Sequence, residues 1–349
     1  MKTICDFLCS ALKKHVRTFL FLVSVSLFIF SFSAYGKEPV KKVEKKNSIE
    51  GLKELIPANC DVVTVFDFGV LKGSAGAIAA FTESIRSNLM MYMPSSADPY
   101  DSSAAPGAAI YAGNEKTGFV LFSVPLPQKK FIDLVRKNAG KFTETKLNGR
   151  TFYTGTFMQG AAKDTGKGSF IFTFITPDIV ALTENRRSSR NMLIASLNAR
   201  KGISPSMEKL LSIRRKEAFI YGGIHMNRIE KRVARFFPGS AGLRDASFDV
   251  CLTPRKTLSM EMIIEADSPE TAQSLGMVLS SYKMLLAGLL QSAEANAARE
   301  AGKAVKLTPP DQLVNVRIEN TLVKLAMDLP AELIQTLGAF AVMTGMAGK

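Results

Sequence analysis

The sequence predicts an α+β fold made of two similar units, in which helices pack on mainly antiparallel sheets. Two alternating runs of apolar and polar residues are followed directly by a long helical stripe, and the same order of elements recurs in the other half of the chain. We therefore predict that each unit runs strand, helix, hairpin, helix, hairpin, helix. The first unit covers residues 55–200 and the second covers residues 201–349.

The first 36 residues have the order of an export signal. Lys13, Lys14 and Arg17 precede an apolar run at residues 18–33, and residues 34–36 (Ala-Tyr-Gly) offer small side chains for cleavage. An uncleaved anchor is the alternative, because the apolar run is only slightly shorter than the ~17–25 residues of a spanning helix. We expect cleavage and a location in the periplasm or at the cell surface.

The first unit follows a charged linker. Residues 37–54 are rich in Lys and Glu and contain too few apolar residues to pack. The run at residues 61–68 is apolar on both faces, as is typical of a central strand. The further elements predicted here are strands at 108–112, 119–124, 151–157, 169–175 and 179–183, helices at 76–91, from Gln128 and at 188–197, and a surface loop at 93–106.

A β-hairpin at residues 245–265 is the clearest element of the second unit. Thr-Pro-Arg-Lys at 253–256 supplies turn chemistry. If the apolar faces of both strands lie on one side, facing residue numbers sum to 510, so Val250 faces Met260 and Asp249 faces Glu261. The alternating apolar residues are Ala246, Phe248, Val250 and Leu252 in the first strand and Leu258, Met260, Met262 and Ile264 in the second.

A long amphipathic helix is predicted to start at Pro269. Ser268 has a side chain suited to the N-cap, and proline fits the first helical position because an N–H there would have no helical partner. Leu275, Leu285 and Leu289 lie on one apolar stripe, so we predict that they are buried and that the helix packs on the apolar face of the hairpin. The other elements predicted in this unit are strands at 218–224, 313–318 and 322–327 and helices at 227–237 and 330–343.

Two short stretches resemble a pattern in exported bacterial proteins of unknown function. Residues 56–61 (Ile-Pro-Ala-Asn-Cys-Asp) precede an apolar strand, and residues 267–272 (Asp-Ser-Pro-Glu-Thr-Ala) precede the Leu-rich helix. The resemblance covers most of the mature chain and implies a protein of two similar halves. It implies no activity, because the group offers no catalytic residue that could be transferred to this chain.

The exported chain is basic. Removing residues 1–36 takes four basic residues and one acidic residue from a formal charge of +14, which leaves +11. This charge favours an anionic partner, such as envelope phospholipid or acidic polysaccharide, whereas nucleic acid is a poor match for an exported chain. Cys60 and Cys251 remain, and an oxidising compartment would permit a disulfide between them. The sequence does not decide whether their separation allows one.

The sequence predicts no catalytic motif, metal site or cofactor site. Gly-x-Ser-x-Gly does not occur, and the Gly-rich stretch at 160–169 has neither the glycine spacing of a phosphate-binding loop nor a Ser or Thr directly after Lys167. The mature chain has a single histidine, His225, which excludes a metal site built from several imidazoles. At the end of a strand, this histidine is predicted to be structural.

Asp249 and Glu261 form a candidate carboxylate pair, because the predicted register places them opposite each other. Like charges in that position destabilise a strand pair by ~0.2–1 kcal/mol. One interpretation is a functional pair that holds a cation or acts in acid–base chemistry. The second interpretation is a solvated face, with a basic side chain from elsewhere between the carboxylates. The second interpretation is favoured.

A basic stripe is the candidate anion-binding face. Arg228, Lys231, Arg232 and Arg235 recur at three- and four-residue spacings in the predicted helix 227–237. The stripe would either bind an anionic envelope component or form a solvated helix face that keeps the protein soluble. Together with the net charge, the stripe favours a non-catalytic exported envelope or surface protein that binds a partner. The alternatives are an enzyme with an unrecognised carboxylate-based site and a carrier of a lipid or other apolar ligand, the latter suggested by the 15 Met residues and the Leu-rich helix.

Overall fold

The computed structural model is a sheet-rich α+β fold. It describes residues 49–67, 70, 108–114, 117–124, 127–147, 149–157, 169–199, 202–228, 242–253, 258–300, 309 and 314–329. The chain forms two compact units, and the division between them falls at Glu208–Lys209. We call the described residues 49–208 the N-terminal unit and the described residues 209–329 the C-terminal unit.

The described helices and strands of the N-terminal unit follow one another in chain order. They are α1 (Ile49–Lys53), β1 (Val62–Asp67), β2 (Ala108–Gly113), β3 (Gly118–Ser123), α2 (Gln128–Asn138), β4 (Ala139–Leu147), β5 (Arg150–Phe157), β6 (Ser169–Thr176), β7 (Ile179–Glu184), α3 (Arg187–Ala199) and α4 (Pro205–Ser212), which carries the division. The strands predicted at 61–68, 108–112, 119–124, 151–157, 169–175 and 179–183 and the helix predicted at 188–197 are confirmed to within a few residues. The helix predicted at 76–91 and the loop predicted at 93–106 lie outside the described residues.

The described strands of the N-terminal unit are ordered β1-β2-β3-β7-β6-β5-β4, and each neighbouring pair is antiparallel. The central strands β3 and β7 are buried at nearly every position, because apolar residues occupy both of their faces. Helix α3 packs against both of these strands. The edge of this sheet at β4 is exposed from Gly140 to Leu147, apart from the half-buried Phe142.

Besides α4, which the sequence prediction lacks, two segments of the N-terminal unit differ from that prediction. Residues 49–53, predicted to belong to the charged linker, form α1, in which Leu52 is fully buried. Lys53 is also buried, and its ammonium group lies 3.1 Å from Glu50 and 3.0 Å from Glu208. The other difference is β4, which the sequence prediction lacks.

The C-terminal unit has the predicted hairpin and long helix. Its described elements are β8 (Ala218–His225), a 3-10 turn (Met226–Arg228), β9 (Leu243–Leu252), β10 (Leu258–Ala266), α5 (Pro269–Glu300), β11 (Val314–Glu319) and β12 (Leu322–Leu329). The strands are ordered β8-β9-β10-β12-β11, with antiparallel neighbours. The helix predicted at 330–343 lies outside the described residues.

Helix α5 packs where the sequence predicted. The Ser268 hydroxyl accepts a hydrogen bond from the Thr271 amide at 3.2 Å, which confirms the predicted N-cap. The first half of the helix joins one core cluster with β9, β10 and β12, and the exposed fraction of Leu275 is 6%. The side chains of Leu285 and Leu289 lie outside the described residues. The core cluster consists of Leu243, Ala246, Ile264, Ala266, Ala272, Leu275 and Val323.

The two units differ in their number of described strands. The C-terminal unit has one hairpin, β11-β12, after α5, as predicted. The N-terminal unit has four strands after α2, namely β4 to β7, so its order departs from the predicted repeat. Within the described part of the chain, no helix has the length and hydropathy that crossing a membrane requires.

Candidate functional site

The carboxylate pair has the predicted register but not the predicted environment. Asp249 lies directly opposite Glu261, and Val250 lies opposite Met260. The exposed fraction of Asp249 is 5%, so the expectation of a solvated face is wrong at this residue, whereas the expected basic side chain from elsewhere in the chain is present as Arg215. The sequence did not reveal that the connector after α4 lies over this face of β9 and brings Arg215 to the carboxylate.

Arg215 uses its side chain and its backbone to bind this corner of the sheet. Its Nε donates to Asp249 Oδ1 at 2.8 Å, and its backbone N–H donates to Asp249 Oδ2 at 2.7 Å. The remaining guanidinium nitrogens donate to the hydroxyl and the carbonyl oxygen of Ser259, both at 2.8 Å. Burial by itself would lower the pKa of Arg215. The hydrogen bonds to Asp249 and the negative charge of Asp249 outweigh this effect, so the pKa of Arg215 is raised. A carboxylate satisfied in this way is suited to holding the connector in place.

His225 forms a cross-strand pair with Asp245. The two residues face each other in the β8–β9 ladder, and His225 Nδ1 lies 2.6 Å from Asp245 Oδ1. The exposed fraction of the histidine is 4%. The contact links two neighbouring strands, as a structural histidine at a strand end does.

The basic stripe lies mostly beyond the described residues. Arg228 is exposed at the end of the 3-10 turn, whereas Lys231, Arg232 and Arg235 lie outside the described residues. Anion binding by this stripe therefore stays a prediction.

Cys60 and Cys251 are both buried and carry free thiols. Burial raises the pKa of the Cys60 thiol to about 12 and that of Cys251 to about 11. Among the described side chains, no group of three His, Cys, Asp or Glu residues has the arrangement of a metal site.

A cleft of about 460 Å³ lies between α2 and the β4–β5 hairpin. We call it the α2 cleft. Its volume falls within the range of ~300–1,000 Å³ that is typical of small-molecule sites. It is open to solvent along the exposed edge of the sheet. The residues that line it are Gln128, Lys129, Ile132, Asp133 and Arg136 from α2, Glu144 from β4 and Tyr153 from β5.

The amphipathic pattern of α2 determines which side chains line the cleft. Phe131 and Val135 lie four residues apart and are buried, with exposed fractions of 4% and 1%. The stripe that includes Ile132 and Arg136 is rotated by one residue and lines the cleft. The helix ends at Asn138 because Ala139 has an extended backbone, and β4 starts there.

Stacked aromatic rings form the sheet side of the cleft. The ring of Tyr153 stacks against Phe172, at 4.9 Å between centroids, and against Phe142, at 6.0 Å. Phe131 packs edge-on against Phe172 and Phe174, both at 5.7 Å, and thereby holds α2 on the sheet. The Tyr153 residue is 6% exposed, and its hydroxyl is hydrogen-bonded to Gln128.

Opposite charges meet in the cleft. Arg136 Nη1 lies 3.0 Å from Asp133 Oδ1, and the guanidinium carbon lies 5.1 Å from the centre of the Phe142 ring. The pKa of Tyr153 is raised by burial and then by the charge of Glu144, while Gln128 and Arg136 oppose the rise. Glu144 and Arg136 therefore both act on the same phenol.

The cleft is absent from the sequence prediction because β4 is absent from it. Asn148-Gly149 between two alternating runs is a strong hairpin signal, and Gly149 has a φ of +74°, which glycine adopts without strain. A bulge after Ala139 obscures the alternation. The Thr156 hydroxyl accepts a hydrogen bond from the Lys141 amide at 2.9 Å beside that bulge.

Comparison with known proteins gives no functional assignment. No family model and no curated protein matches this chain. Crystal form I of TP0453 is a solved structure with 11% sequence identity and a TM-score of 0.41, over 88% of this chain and 99% of that chain. A similarity at that score carries no argument about this protein.

Proposed function

We propose that this chain is a non-catalytic exported envelope or surface protein that binds an anionic partner at the α2 cleft. The observation that carries the proposal is the position of the cleft within a segment that has an excess of basic residues. Residues 128–150, which form α2, β4 and the turn into β5, contain seven basic and two acidic residues. An anion approaching this region is attracted before it makes any contact.

The arrangement of the basic residues supports binding at the cleft. Lys129 and Arg136 line it, while Lys141 and Lys146 are exposed along β4 outside its lining. The lining also includes Asp133 and Glu144, so the excess of positive charge comes from the neighbouring lysines on α2 and β4, which attract anions toward this region. The guanidinium of Arg136 is oriented by Asp133 and by the Phe142 ring, so little side-chain freedom is lost when it binds an anion.

The other groups in the cleft are suited to recognition. The raised pKa of Tyr153 keeps its phenol protonated at neutral pH, so the hydroxyl can donate a hydrogen bond. Gln128 offers both a donor and an acceptor and already contacts that hydroxyl. These neutral groups would orient a ligand that the cations attract.

A charge-matched pair of variants tests this function. The cleft variant carries Lys129→Gln and Arg136→Gln, and the control carries Lys141→Gln and Lys146→Gln, which removes the same charge from neighbouring exposed positions. Binding to immobilised polygalacturonate and to phosphatidylglycerol vesicles is measured at low and physiological salt. We expect binding to at least one of these surfaces, weaker in salt and reduced more by the cleft variant. Absence of binding to both, or equal losses in both variants, would contradict the proposal.

Export is part of the same proposal. It is supported by the basic, apolar and small-residue order of residues 1–36. We expect the mature chain to begin close to Lys37 and to be recovered outside the cytoplasm. Mass spectrometry of the native protein measures this, and an intact Met1 on cytoplasmic protein would contradict it.

We further propose that the two units are copies of one ancestral unit. The order β1-β2-β3-β7-β6 corresponds to β8-β9-β10-β12-β11, so β4-β5 would be an inserted hairpin. A crystal structure tests the proposal by superposition of these five strands from each unit. Different strand connections in the two sets would contradict a duplication.

A further inference from the structure

We infer that the anionic partner of the α2 cleft is a polysaccharide whose sugar units carry carboxylates. This inference rests on the proposed function and specifies its ligand. It follows from the placement of acids beside bases in the cleft and from the scarcity of aliphatic side chains in its lining.

The two acids in the cleft favour a ligand that brings hydrogen-bond donors as well as an anion. An ionised carboxylate only accepts hydrogen bonds, and Asp133 and Glu144 line the cleft together with the cations Lys129 and Arg136. A phosphate diester group offers only acceptors, so it could contact the cations but could not donate to the acids. A sugar acid brings a carboxylate for the cations and hydroxyl donors for the acids.

The position of Glu144 distinguishes specific binding of a sugar acid from unspecific attraction of any anion. Glu144 lies directly opposite Tyr153 in the β4–β5 ladder, so its carboxylate is close to the only phenol in the cleft lining. A sugar hydroxyl between these two groups could donate to Glu144 and accept from Tyr153. Glu144 would then strengthen the binding of an anionic ligand, although its own carboxylate is negatively charged.

The lining offers little to a lipid chain. Ile132 is the one aliphatic side chain among the residues that line the cleft. Tyr153 is 6% exposed and packs against Phe142 and Phe172, so its ring offers little apolar surface to a lipid chain. An open cleft along an exposed strand also leaves room for a polymer to continue beyond the bound sugar.

The ligand probes are tri-galacturonic acid, its methyl ester and phosphatidylglycerol vesicles, tested on the whole protein by calorimetry and by co-sedimentation. The ester keeps the ring hydroxyls and lacks the charges. We expect the acid to bind and the ester to bind at least about tenfold more weakly. Binding of the vesicles without binding of the acid would overturn this inference and leave the proposed function standing, whereas no binding to any anionic probe would overturn both.

Three single variants test the assignment of roles. Arg136→Gln should weaken binding of the acid about tenfold and leave the ester unchanged, because only the acid offers a carboxylate. Glu144→Gln should weaken binding of the acid, although it removes a negative charge. Lys146→Gln is the control, on the same strand but outside the cleft lining, and should change binding less than about twofold. Tighter binding in Glu144→Gln, or equal losses in Lys146→Gln and Arg136→Gln, would mean unspecific charge attraction and would overturn the inference.

Discussion

Replacing Arg215 by Met tests whether the connector after α4 is held by a buried ion pair. The variant keeps the aliphatic stem and removes the guanidinium, so the Asp249 carboxylate retains one described donor from this residue, the backbone N–H at 2.7 Å. The side chain of Asp249 is 7% exposed and that of Arg215 is 32% exposed. Breaking a buried pair costs about 3–5 kcal/mol, and water that reaches the partly exposed arginine site favours the lower end of this range, ~3 kcal/mol.

Lys324→Met is the matched control, because it also removes a cation that contacts a carboxylate in the C-terminal unit. Lys324 Nζ lies 2.6 Å from Glu319 Oε2, but these side chains are 32% and 52% exposed. An exposed pair contributes ~1 kcal/mol or less. The combined change Arg215→Met with Asp249→Leu removes both charges and should recover much of the loss, because no unpaired carboxylate remains buried.

The free energy of unfolding of the four proteins is measured by urea titration monitored by circular dichroism. We expect the largest loss in Arg215→Met, a small loss in Lys324→Met and partial recovery in the double variant. If Arg215→Met lost no more stability than Lys324→Met, the ion pair would not anchor the connector. If the double variant were no more stable than the single one, the lost hydrogen bonds to Ser259 would explain the loss, and the unpaired carboxylate would not.

Three further predictions follow from burial and backbone space. The pKa of the Cys60 thiol is raised by burial from 9.0 to about 12, so its stabilising contribution is complete below pH 9.0 and is lost as the pH rises to about 12. At about pH 8 the thiolate fraction of Cys60 should be about a thousandfold smaller than in the unfolded chain, and that of Cys251 about a hundredfold smaller. Alkylation of the native protein, followed by mass spectrometry, measures this, and fast alkylation of either thiol would contradict the prediction. Gly288→Ala should raise the unfolding free energy by ~0.5–1 kcal/mol, because no described atom lies within 4 Å of the added methyl group. Gly155→Ala should lower it by ~1–3 kcal/mol, because the added methyl group would overlap a buried phenylalanine ring of β6. A shift of the thermal unfolding midpoint in the same direction for both variants would refute the glycine argument. Leu275→Ala should cost ~2–5 kcal/mol in a urea titration, and a loss well below that range would place this helix face at the surface.

The hairpin β9–β10 and helix α5 were predicted well because their patterns are local. Alternation over eight residues defines which face of each strand is apolar, and matching two apolar faces leaves one register, in which Phe248 faces Met262. The start of α5 follows from Ser268 and Pro269, whose preferences depend on the backbone of the same segment. Such elements need no knowledge of the rest of the chain.

The errors occurred where a distant segment changes the environment of a residue. Asp249 was expected on a solvated face because it alternates with the apolar residues of its strand, but Arg215, 34 residues earlier in the chain, covers it. Residues 49–53 were predicted to belong to the charged linker, yet Lys53 contacts Glu208, which lies 155 residues further along the chain. β4 is an exposed edge strand with a bulge, so its alternation is weak and its partner β5 defines it.

The sequence by itself determined the class of fold, the strand and helix positions of the hairpin region, the register of Asp249 against Glu261, and the basic charge that favours an anionic partner. Each of these depends on spacing or composition, which a linear pattern contains. The tertiary structure alone decided that Asp249 is buried by Arg215, that both described cysteines are free thiols, and that α2 and β4 enclose a cleft over Tyr153. Burial and ligand sites depend on which distant segments meet, because desolvation and hydrogen bonding act between neighbours in space.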